Sequence, residues 1–252
     1  MLKTPVLTEK NIKDFGRNGY LILKQGFSIE DIKKIDAWTK EIAALPEEHG
    51  KYWVYHEKSL KDDDKKLISR IENISPHHPG FAELTNVLKS PVSQLLGEPC
   101  FLFKEKINFK MSGGGGFKPH QDSQAGWDFY ADFFINALVS IDESTLENGC
   151  LEICSGHHKR GLFKSWEPLN EDELAGMEFT HCPTGPGDII FFDCYTPHQS
   201  EPNMTETIRR IYFTTYNRAS DGDHMDQYYK DKHKNYPPDI DRDPLKEYIY
   251  RV

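Results

Sequence analysis

Short segments rich in β-branched and aromatic residues dominate the chain after Pro99. Glycine, proline, asparagine and aspartate separate these segments, which read FLFKEKINFKMS, FFINALVSID, CLEIC, DIIFFD and RIYFTTYN. Residues of the first kind favour strands, and the separating residues favour turns. Because no helical pattern interrupts the series, residues 100–218 are predicted to form a sandwich or jelly roll and not a parallel α/β sheet.

Two helical patterns come before this β-rich region. The first begins after Ser28, a residue type that caps helices well, and stops at Pro46. The second covers residues 84–96 and ends at Gly97, which suits the left-handed C-cap of a helix. Proline lacks the amide hydrogen that a helix interior needs, so Pro91 is expected to divide the second pattern into two helices.

The remaining segments complete the domain prediction. Residues 66–74 alternate apolar and polar side chains, which predicts a strand between the helical patterns. Residues 1–99 are therefore expected to be a helical part with some strands. Residues 219–252 are polar and rich in tyrosine, and we expect them to wrap the β core of residues 100–218. The whole chain, 1–252, is thus predicted to be one mainly β domain with added helices.

Composition limits the partners and the compartment. The formal net charge is −9 and no cluster of Lys and Arg opposes it, which argues against nucleic acid as a partner. The five cysteines are scattered and are expected to be reduced thiols. No run approaches the roughly 20 apolar residues of a membrane span, and MLKTPVLTEKN lacks the apolar stretch of a secretory signal. We expect a cytoplasmic protein, not bound to a membrane, that acts on a small molecule.

The motif PHQDS contains a histidine and an aspartate at a spacing that suits metal binding. On an extended segment His120 and Asp122 project from the same side, because side chains alternate along a strand. The pair alone is weak evidence, since hydrogen-bonded surface pairs of this kind are common in a chain with 11 histidines. His198 supplies a third ligand just beyond the apolar segment DIIFFD. Two histidines and one carboxylate on a β scaffold are typical of the facial triad of non-haem iron oxygenases, whereas zinc prefers four ligands.

Arg209 follows His198 by eleven residues and lies in the segment RIYFTTYN. A guanidinium binds a carboxylate through two parallel hydrogen bonds, which suits the far carboxylate of 2-oxoglutarate. An arginine on a strand is usually a surface residue, but the position after a candidate metal-binding histidine favours a role in the site. Arg210 points to the other face of the strand and is the natural control.

Together these residues resemble the phytanoyl-CoA dioxygenase superfamily of iron(II)- and 2-oxoglutarate-dependent oxygenases. The pattern of His120, Asp122, His198 and Arg209 matches that of the family, and NGCLEICSGHH resembles its turn-and-strand signature. The resemblance covers nearly the whole chain and implies a double-stranded β-helix, the cupin-like jelly roll. It also implies that Fe(II), 2-oxoglutarate and O2 are used to hydroxylate an unactivated C–H bond, with release of succinate and CO2. Since related halogenases lack the metal carboxylate, Asp122 implies a hydroxylase.

The strand KINFK is similar to the strand that faces the cosubstrate in this family. Alternation places Lys106, Asn108 and Lys110 on one face, so the resemblance implies that Asn108, and less directly Lys106, contact 2-oxoglutarate. It also implies that Phe213, four residues after Arg209, packs against the cosubstrate. Plain core packing is an equally good explanation for an aromatic residue in a strand.

Three further segments resemble a narrower group, the 2-aminoethylphosphonate dioxygenases and their relatives. They are GGGGFKPHQD, SIDESTLENGCLE and the tail from TTYNRASDGDH to YPPDIDRDP. The resemblance implies a small polar substrate with an anionic head, such as an aminoalkylphosphonate or its trimethylammonio analogue. Candidate substrate contacts are Lys110, Gln121, Arg70, Trp127 and Tyr130.

Alternatives remain both for the substrate and for the class of protein. The same chemistry could act on a free amino acid, another small metabolite or an acyl-CoA ester. In other classes, a zinc hydrolase does not explain Arg209, and a non-enzymatic β-sandwich binding module does not explain the combined motifs. The glycines of residues 113–116 lack the Lys-Ser or Lys-Thr of a phosphate loop, and they are expected to form a flexible lip over the site.

Overall fold

The computed structural model describes residues 1–163 and 165–249, and within these ranges the chain forms five α-helices and eleven β-strands. The helices are α1 (Glu9–Asn18), α2 (Ile29–Ala44), α3 (Pro79–Leu96), α4 (Glu171–Leu174) and α5 (Met225–Asn235). The strands are β1 (Tyr20–Leu23), β2 (Trp53–Lys58), β3 (Lys66–Glu72), β4 (Cys100–Lys110), β5 (Phe117–His120), β6 (Phe134–Ser140), β7 (Leu151–Cys154), β8 (Phe179–Cys182), β9 (Ile189–Asp193), β10 (His198–Ser200) and β11 (Arg209–Arg218).

The strands form two antiparallel sheets. The larger sheet has the order β1-β9-β6-β11-β4-β3-β2, and the smaller has the order β5-β10-β7-β8. Strands β1, β2 and β3 come from the first 99 residues, so the N-terminal part extends the larger sheet as well as supplying helices. This is the mainly β architecture with added helices that the sequence predicts.

Alternation along β11 divides the hydrophobic core into two layers. Ile211 and Phe213 belong to a cluster that draws residues from both sheets. Tyr212 and Tyr216 point the other way and pack with residues of α2 and α3 on the outer face of the larger sheet. One face of β11 therefore looks into the space between the sheets, and the other anchors the helices.

One of the two helical predictions agrees with the structure, and the other is wrong in part. Helix α2 begins as predicted after Ser28, whose hydroxyl accepts a hydrogen bond from the Asp31 amide. The expected break at Pro91 is wrong, because α3 runs unbroken to its left-handed C-cap at Gly97. Apolar residues on both sides of Pro91 are buried in the same core, and this packing keeps the helix on one axis despite the missing hydrogen bond.

The glycines of residues 113–116, expected to form a flexible lip, are held at one end by backbone hydrogen bonds. Gly113 and Gly114 are buried, and the Gly113 amide donates to the Asn203 carbonyl at 2.7 Å. The Asn203 amide donates in return to the Gly114 carbonyl at 3.0 Å. Gly113 has a φ of 84°, a left-handed conformation that side chains rarely adopt. The glycines thus allow a close contact between two backbone segments.

Sequence reasoning did not find helix α5. The segment is polar except for a few aromatic residues, and two of these, Tyr228 and Tyr229, are buried. The Tyr229 hydroxyl contacts the backbone of Glu105 on β4, donating to its carbonyl at 3.1 Å.

Among the helices of the described residues, none has both the length and the apolar composition of a membrane span. All five cysteines are free, in line with the expected reduced thiols, and all are buried.

Candidate active site

A cavity of about 910 Å³ is lined by residues of both sheets and of α5. Its walls contain most of the residues that the sequence singles out. These are Lys106, Asn108, His120, Asp122, Trp127, Tyr130, His198, Arg209 and Phe213.

The pairing of two short strands brings the candidate metal ligands together. His120 is the last residue of β5 and His198 the first of β10, and the two are direct partners across the antiparallel ladder. Their ring centroids lie 4.2 Å apart. Asp122 lies 3.9 Å from the Nε2 atom of each histidine, through Oδ1 to His120 and through Oδ2 to His198. One possible ligand atom from each residue lies within 4.8 Å of the others.

Asp122 does not extend the strand, as the sequence argument assumed. It begins a 3-10 turn, Asp122–Ala125. The intervening Gln121 keeps an extended backbone, with φ of −109° and ψ of 137°, so the side chains of His120 and Asp122 still project to the same side. The expected convergence is therefore present with a different local structure after Gln121.

Backbone hydrogen bonds orient both imidazoles. The Nδ1–H of His120 donates to the Lys118 carbonyl at 2.7 Å, and that of His198 donates to the Thr196 carbonyl at 3.0 Å. With Nδ1 protonated, the Nε2 lone pair of each ring points toward Asp122 and is available to a metal. Burial and the nearby His198 lower the pKa of His120 to about 3, which keeps its ring neutral.

Asp122 is held ionised and oriented. Burial opposes its ionisation, but His198 and then Lys104 outweigh burial and lower the pKa of Asp122. Its Oδ2 atom accepts a hydrogen bond from Asn136 Nδ2 at 2.9 Å. Two histidines that point Nε2 toward an ionised carboxylate are a suitable donor set for a divalent metal. Within the described residues it is the one group of three such side chains that could hold an ion.

Arg209 and Arg210 lie on opposite faces of β11, as alternation predicts. Arg209 lines the cavity, and its buried Nε has no hydrogen-bond partner among the described residues. Arg210 instead pairs with Asp142 and Asp36, both at 2.7 Å. Burial lowers the pKa of Arg209 to about 10, which still leaves the guanidinium charged at neutral pH.

Strand β4 lies beside Arg209 and also presents the predicted face to the cavity. Lys106 and Asn108 line the cavity, whereas Ile107 and Phe109 are buried in the core on the helical side. The buried Oδ1 of Asn108 has no hydrogen-bond partner in the described part of the chain. Asn108 thus provides a polar atom without a protein partner in the cavity that Arg209 lines.

Two roles were considered for Phe213, contact with the cosubstrate and core packing, and its position is compatible with both. Its ring lines the cavity and lies 4.9 Å from the Lys106 ammonium. It also packs edge-on against Phe192 in the core cluster between the sheets, with ring centroids 5.8 Å apart. The geometry therefore supports core packing and contact with a bound molecule together.

Three predicted substrate residues do not line this cavity. The Lys110 ammonium is buried and donates to the Ser200 hydroxyl at 2.8 Å and to the Glu201 carbonyl. Gln121 is fully buried, and its amide donates to the Tyr195 carbonyl at 2.6 Å. It lies between two ligands on an extended segment, so it must point away from them. Arg70 donates to Glu72 at 2.8 Å, and Glu72 itself lines the cavity. Arg70 and Lys110 line a smaller neighbouring cavity of about 400 Å³.

The structure adds cationic residues that the sequence reasoning missed. Lys104 lines the cavity, and its position two residues before Lys106 on the same face of β4 could have identified it. Lys232 comes from α5 and pairs with Glu72, and no local pattern places it there. Tyr130, a predicted substrate residue, also lines the cavity, and its hydroxyl donates to Asp231 at 2.8 Å.

Comparisons with known proteins agree with this arrangement. The sequence profile of the phytanoyl-CoA dioxygenase family matches residues 15–211. The 2-aminoethylphosphonate dioxygenase of an uncultured bacterium is 37% identical over 247 residues, covering 96% of this chain and 93% of the relative. The methylphosphonate hydroxylase of Gimesia maris is 33% identical over 234 residues, covering 91% of this chain and 88% of the relative.

Solved structures share the fold at lower identity. EctD from S. alaskensis, solved with 2-oxoglutarate and 5-hydroxyectoine, superposes with a TM-score of 0.72 at 23% identity, covering 85% of this chain and 77% of EctD. The epimerase SnoN, solved with Fe3+ and alpha ketoglutarate, gives a TM-score of 0.72 at 18% identity, covering 97% of this chain and 95% of SnoN. The predicted double-stranded β-helix is confirmed.

Proposed function

The chain belongs to the phytanoyl-CoA dioxygenase family, and from this premise we propose that it is an iron(II)- and 2-oxoglutarate-dependent dioxygenase that hydroxylates a small phosphonate. The observation that carries the proposal is the convergence of His120, Asp122 and His198 in a cavity that also contains Arg209, whose buried Nε has no hydrogen-bond partner among the described residues. Both features are needed, because the metal ligands alone do not distinguish oxygenases from other metalloenzymes.

The donor set fits Fe(II). Two imidazoles and one carboxylate would bind the ion from one side and leave positions open for cosubstrate and oxygen. His120, Asp122 and His198 are the residues that would hold the ion. When bound, the iron would activate O2, with 2-oxoglutarate as the two-electron reductant that leaves as succinate and CO2, and so provide the oxidant that hydroxylates a C–H bond.

Arg209 and Asn108 fit the cosubstrate. Arg209 would bind the far carboxylate of 2-oxoglutarate through its fork of N–H groups, which satisfies its buried Nε. The Asn108 amide lies on the neighbouring strand, where Asn108 is the cross-strand partner of Ile211. Phe213 closes the apolar side of this region by packing against Phe192. These groups orient the cosubstrate and exclude water from it.

The substrate class rests on the relatives. The names of two of them specify 2-aminoethylphosphonate and methylphosphonate, and the alignments cover nearly the whole chain. We assign this chain a 2-aminoalkylphosphonate or its trimethylammonio analogue, hydroxylated at the carbon beside phosphorus. Tyr130 lines the cavity and would face the ammonium end through its ring, whereas the Trp127 ring already lies 4.0 Å from the Lys104 ammonium.

The test measures succinate release from iron-loaded protein with 2-oxoglutarate and a panel of substrates. The panel contains 2-aminoethylphosphonate, its trimethyl analogue, methylphosphonate, free amino acids and acyl-CoA esters. We expect a phosphonate to raise succinate release well above the substrate-free rate and to yield the 1-hydroxy product. If only an amino acid or a CoA ester stimulates release, the phosphonate assignment fails and the oxygenase class stands. If no substrate does and 2-oxoglutarate is not consumed, the oxygenase class fails.

A further inference from the structure

We propose that Lys104 and Lys106 form the subsite that binds the phosphonate head group, with Lys232 as a third donor. The inference rests on the proposed function, because it concerns the substrate of that same cavity. It replaces two expectations from the sequence, namely that Lys106 serves the cosubstrate and that Lys110 serves the substrate.

The ammonium groups of Lys104 and Lys106 have no acceptor. Both side chains line the cavity, and neither makes a hydrogen bond or an ion pair with any described residue. Their close neighbours are aromatic rings, with Lys104 Nζ 4.0 Å from the Trp127 centroid and Lys106 Nζ 4.9 Å from the Phe213 centroid. Two half-buried cations without an acceptor are costly, so their placement points to an anionic ligand.

Lys104 and Lys106 lie far from Arg209, the residue proposed to bind the cosubstrate. Arg209 is the cross-strand partner of Lys110, which lies six residues beyond Lys104 and four beyond Lys106 on β4. At a rise of about 3.4 Å per residue these separations are about 20 Å and about 14 Å along the strand. A carboxylate that Arg209 binds is therefore out of reach of Lys104, and the cavity has two separate anion sites.

The pair lies on the side of the cavity near the metal ligands. The Lys106 ammonium lies 4.9 Å from the Phe213 centroid, Phe213 packs against Phe192, and the Phe192 ring lies 4.7 Å from the ring of His198. An anionic head group bound by the two lysines would therefore lie beside the metal. That position presents the carbon bonded to phosphorus, the first carbon of the substrate, for hydroxylation.

Lys232 adds a third cation from helix α5, which packs against β4. Its ammonium pairs with Glu72, which also accepts a hydrogen bond from Arg70 at 2.8 Å. Glu72 is therefore shared between two cations, and the group keeps one net positive charge. Lys104 and Lys232 both lie near the ring of Tyr228, 5.8 Å and 5.7 Å from its centroid.

The charge count favours a phosphonate over a carboxylate. Lys104 and Lys106 bring two positive charges that no hydrogen bond or ion pair among the described residues neutralises, because Glu72, the cross-strand neighbour of Lys106, already binds Lys232 and Arg70. A dianionic phosphonate offers three oxygens and two negative charges, so it can pair with both lysines and still accept from Lys232. A monoanionic carboxylate would leave one of the lysines uncompensated. The subsite therefore selects substrates by the charge and oxygen count of their head group.

The experiment compares Lys104→Gln and Lys106→Gln with Lys230→Gln. Lys230 is exposed on the same helix as Lys232 and does not line the cavity, so its variant controls for the loss of one positive charge. Succinate release gives KM for 2-aminoethylphosphonate and for 2-oxoglutarate. We expect each active-site variant to raise the phosphonate KM at least tenfold and to leave the 2-oxoglutarate KM within about twofold, since each removes one charge-assisted bond to the substrate alone.

A binding measurement separates this inference from the proposed function. Calorimetric titration of metal-free protein with methylphosphonate tests the lysine subsite without turnover. We expect weaker binding in both glutamine variants, and recovery of binding in Lys106→Arg, which keeps the charge and serves as the second variant if a glutamine variant does not fold. Unchanged methylphosphonate binding and phosphonate KM, or an equal rise in the 2-oxoglutarate KM, would overturn the subsite. Absence of 2-oxoglutarate turnover in the unaltered protein would overturn the proposed function instead, while the titration still decides on the lysines.

Discussion

Asn136 Nδ2 donates a 2.9 Å hydrogen bond to Oδ2 of Asp122. The amide is itself fixed, because Thr215 Oγ1 donates to Asn136 Oδ1 at 2.7 Å. Asn136 and Thr215 are direct partners across β6 and β11, so the central strands of the larger sheet position a candidate metal ligand that belongs to neither of them. Partners of this kind set the orientation of a ligating carboxylate.

Asn136→Ala is therefore expected to weaken Fe(II) binding by about 10- to 100-fold, because the carboxylate loses the bond that fixes its rotation. Thr215→Val should shift binding in the same direction by less, since Asn136 itself remains. Competition with a coloured chelator measures the affinity, and melting of the metal-free variants shows whether folding changed. Native iron affinity in Asn136→Ala would show that Asp122 needs no such support.

Arg209→Ala is expected to raise the 2-oxoglutarate KM at least tenfold. Loss of a buried charge-assisted contact costs on the order of 2 to 5 kcal/mol. Arg210→Ala should leave this KM unchanged and lower the melting temperature, because Arg210 pairs with Asp142 and Asp36 away from the cavity. Initial rates of succinate release across 2-oxoglutarate concentrations test both. Equal effects on KM would contradict the assignment of the cosubstrate site.

Metal removal gives a third test. Chelation is expected to abolish succinate release, and Fe(II) should restore it because His120, Asp122 and His198 leave positions open to cosubstrate and oxygen. Zn(II) should bind at the same ligands without restoring turnover, since zinc has no redox chemistry. Recovery of activity with Zn(II) would contradict the oxygenase class and favour hydrolytic chemistry.

The residues that sequence reasoning placed in the cavity share one property. His120, Asp122 and Arg209 each belong to a strand, or its immediate extension, whose alternation fixes the direction of the side chain once one face is known. The same rule applied to Gln121 excludes it from the cavity, because it lies between two ligands. Proximity in sequence to a ligand is thus a poor guide without the direction of the side chain.

Other features depend on contacts that no local pattern contains. Lys232 reaches the cavity because α5 packs across β4, and nothing in a polar, tyrosine-rich tail predicts that docking. Lys110 lies on the same face of β4 as Lys106. The end of β10 covers it, however, and its ammonium donates a hydrogen bond to the Ser200 hydroxyl. Pro91 stays inside one helix because tertiary packing overrides the local preference to end it.

The last prediction concerns a buried acid outside the cavity. Glu105 is 1% exposed, and its carboxyl group accepts hydrogen bonds from the Ser75 amide at 2.9 Å and from the Tyr212 hydroxyl at 3.2 Å. Burial is the largest influence and raises the pKa of Glu105 from 4.5 to about 7. A raised folded-state pKa stabilises the protein fully below pH 4.5, and this contribution is lost as pH rises toward 7, because the unfolded chain gives up its proton first.

Glu105→Gln keeps an amide oxygen for the backbone donors and cannot ionise. Relative to this variant, the native protein is expected to lose about 2 to 3 kcal/mol of unfolding free energy between pH 5 and pH 8. For a chain of this size each kcal/mol corresponds to about 2–4 °C, so the difference in melting temperature should change by several degrees in favour of the variant. Metal-free protein is used, because iron binding has a pH dependence of its own. A difference that stays constant from pH 5 to pH 8 would mean that Glu105 ionises alike in the folded and unfolded chain, and that the hydrogen bonds from Ser75 and Tyr212 fully offset its burial.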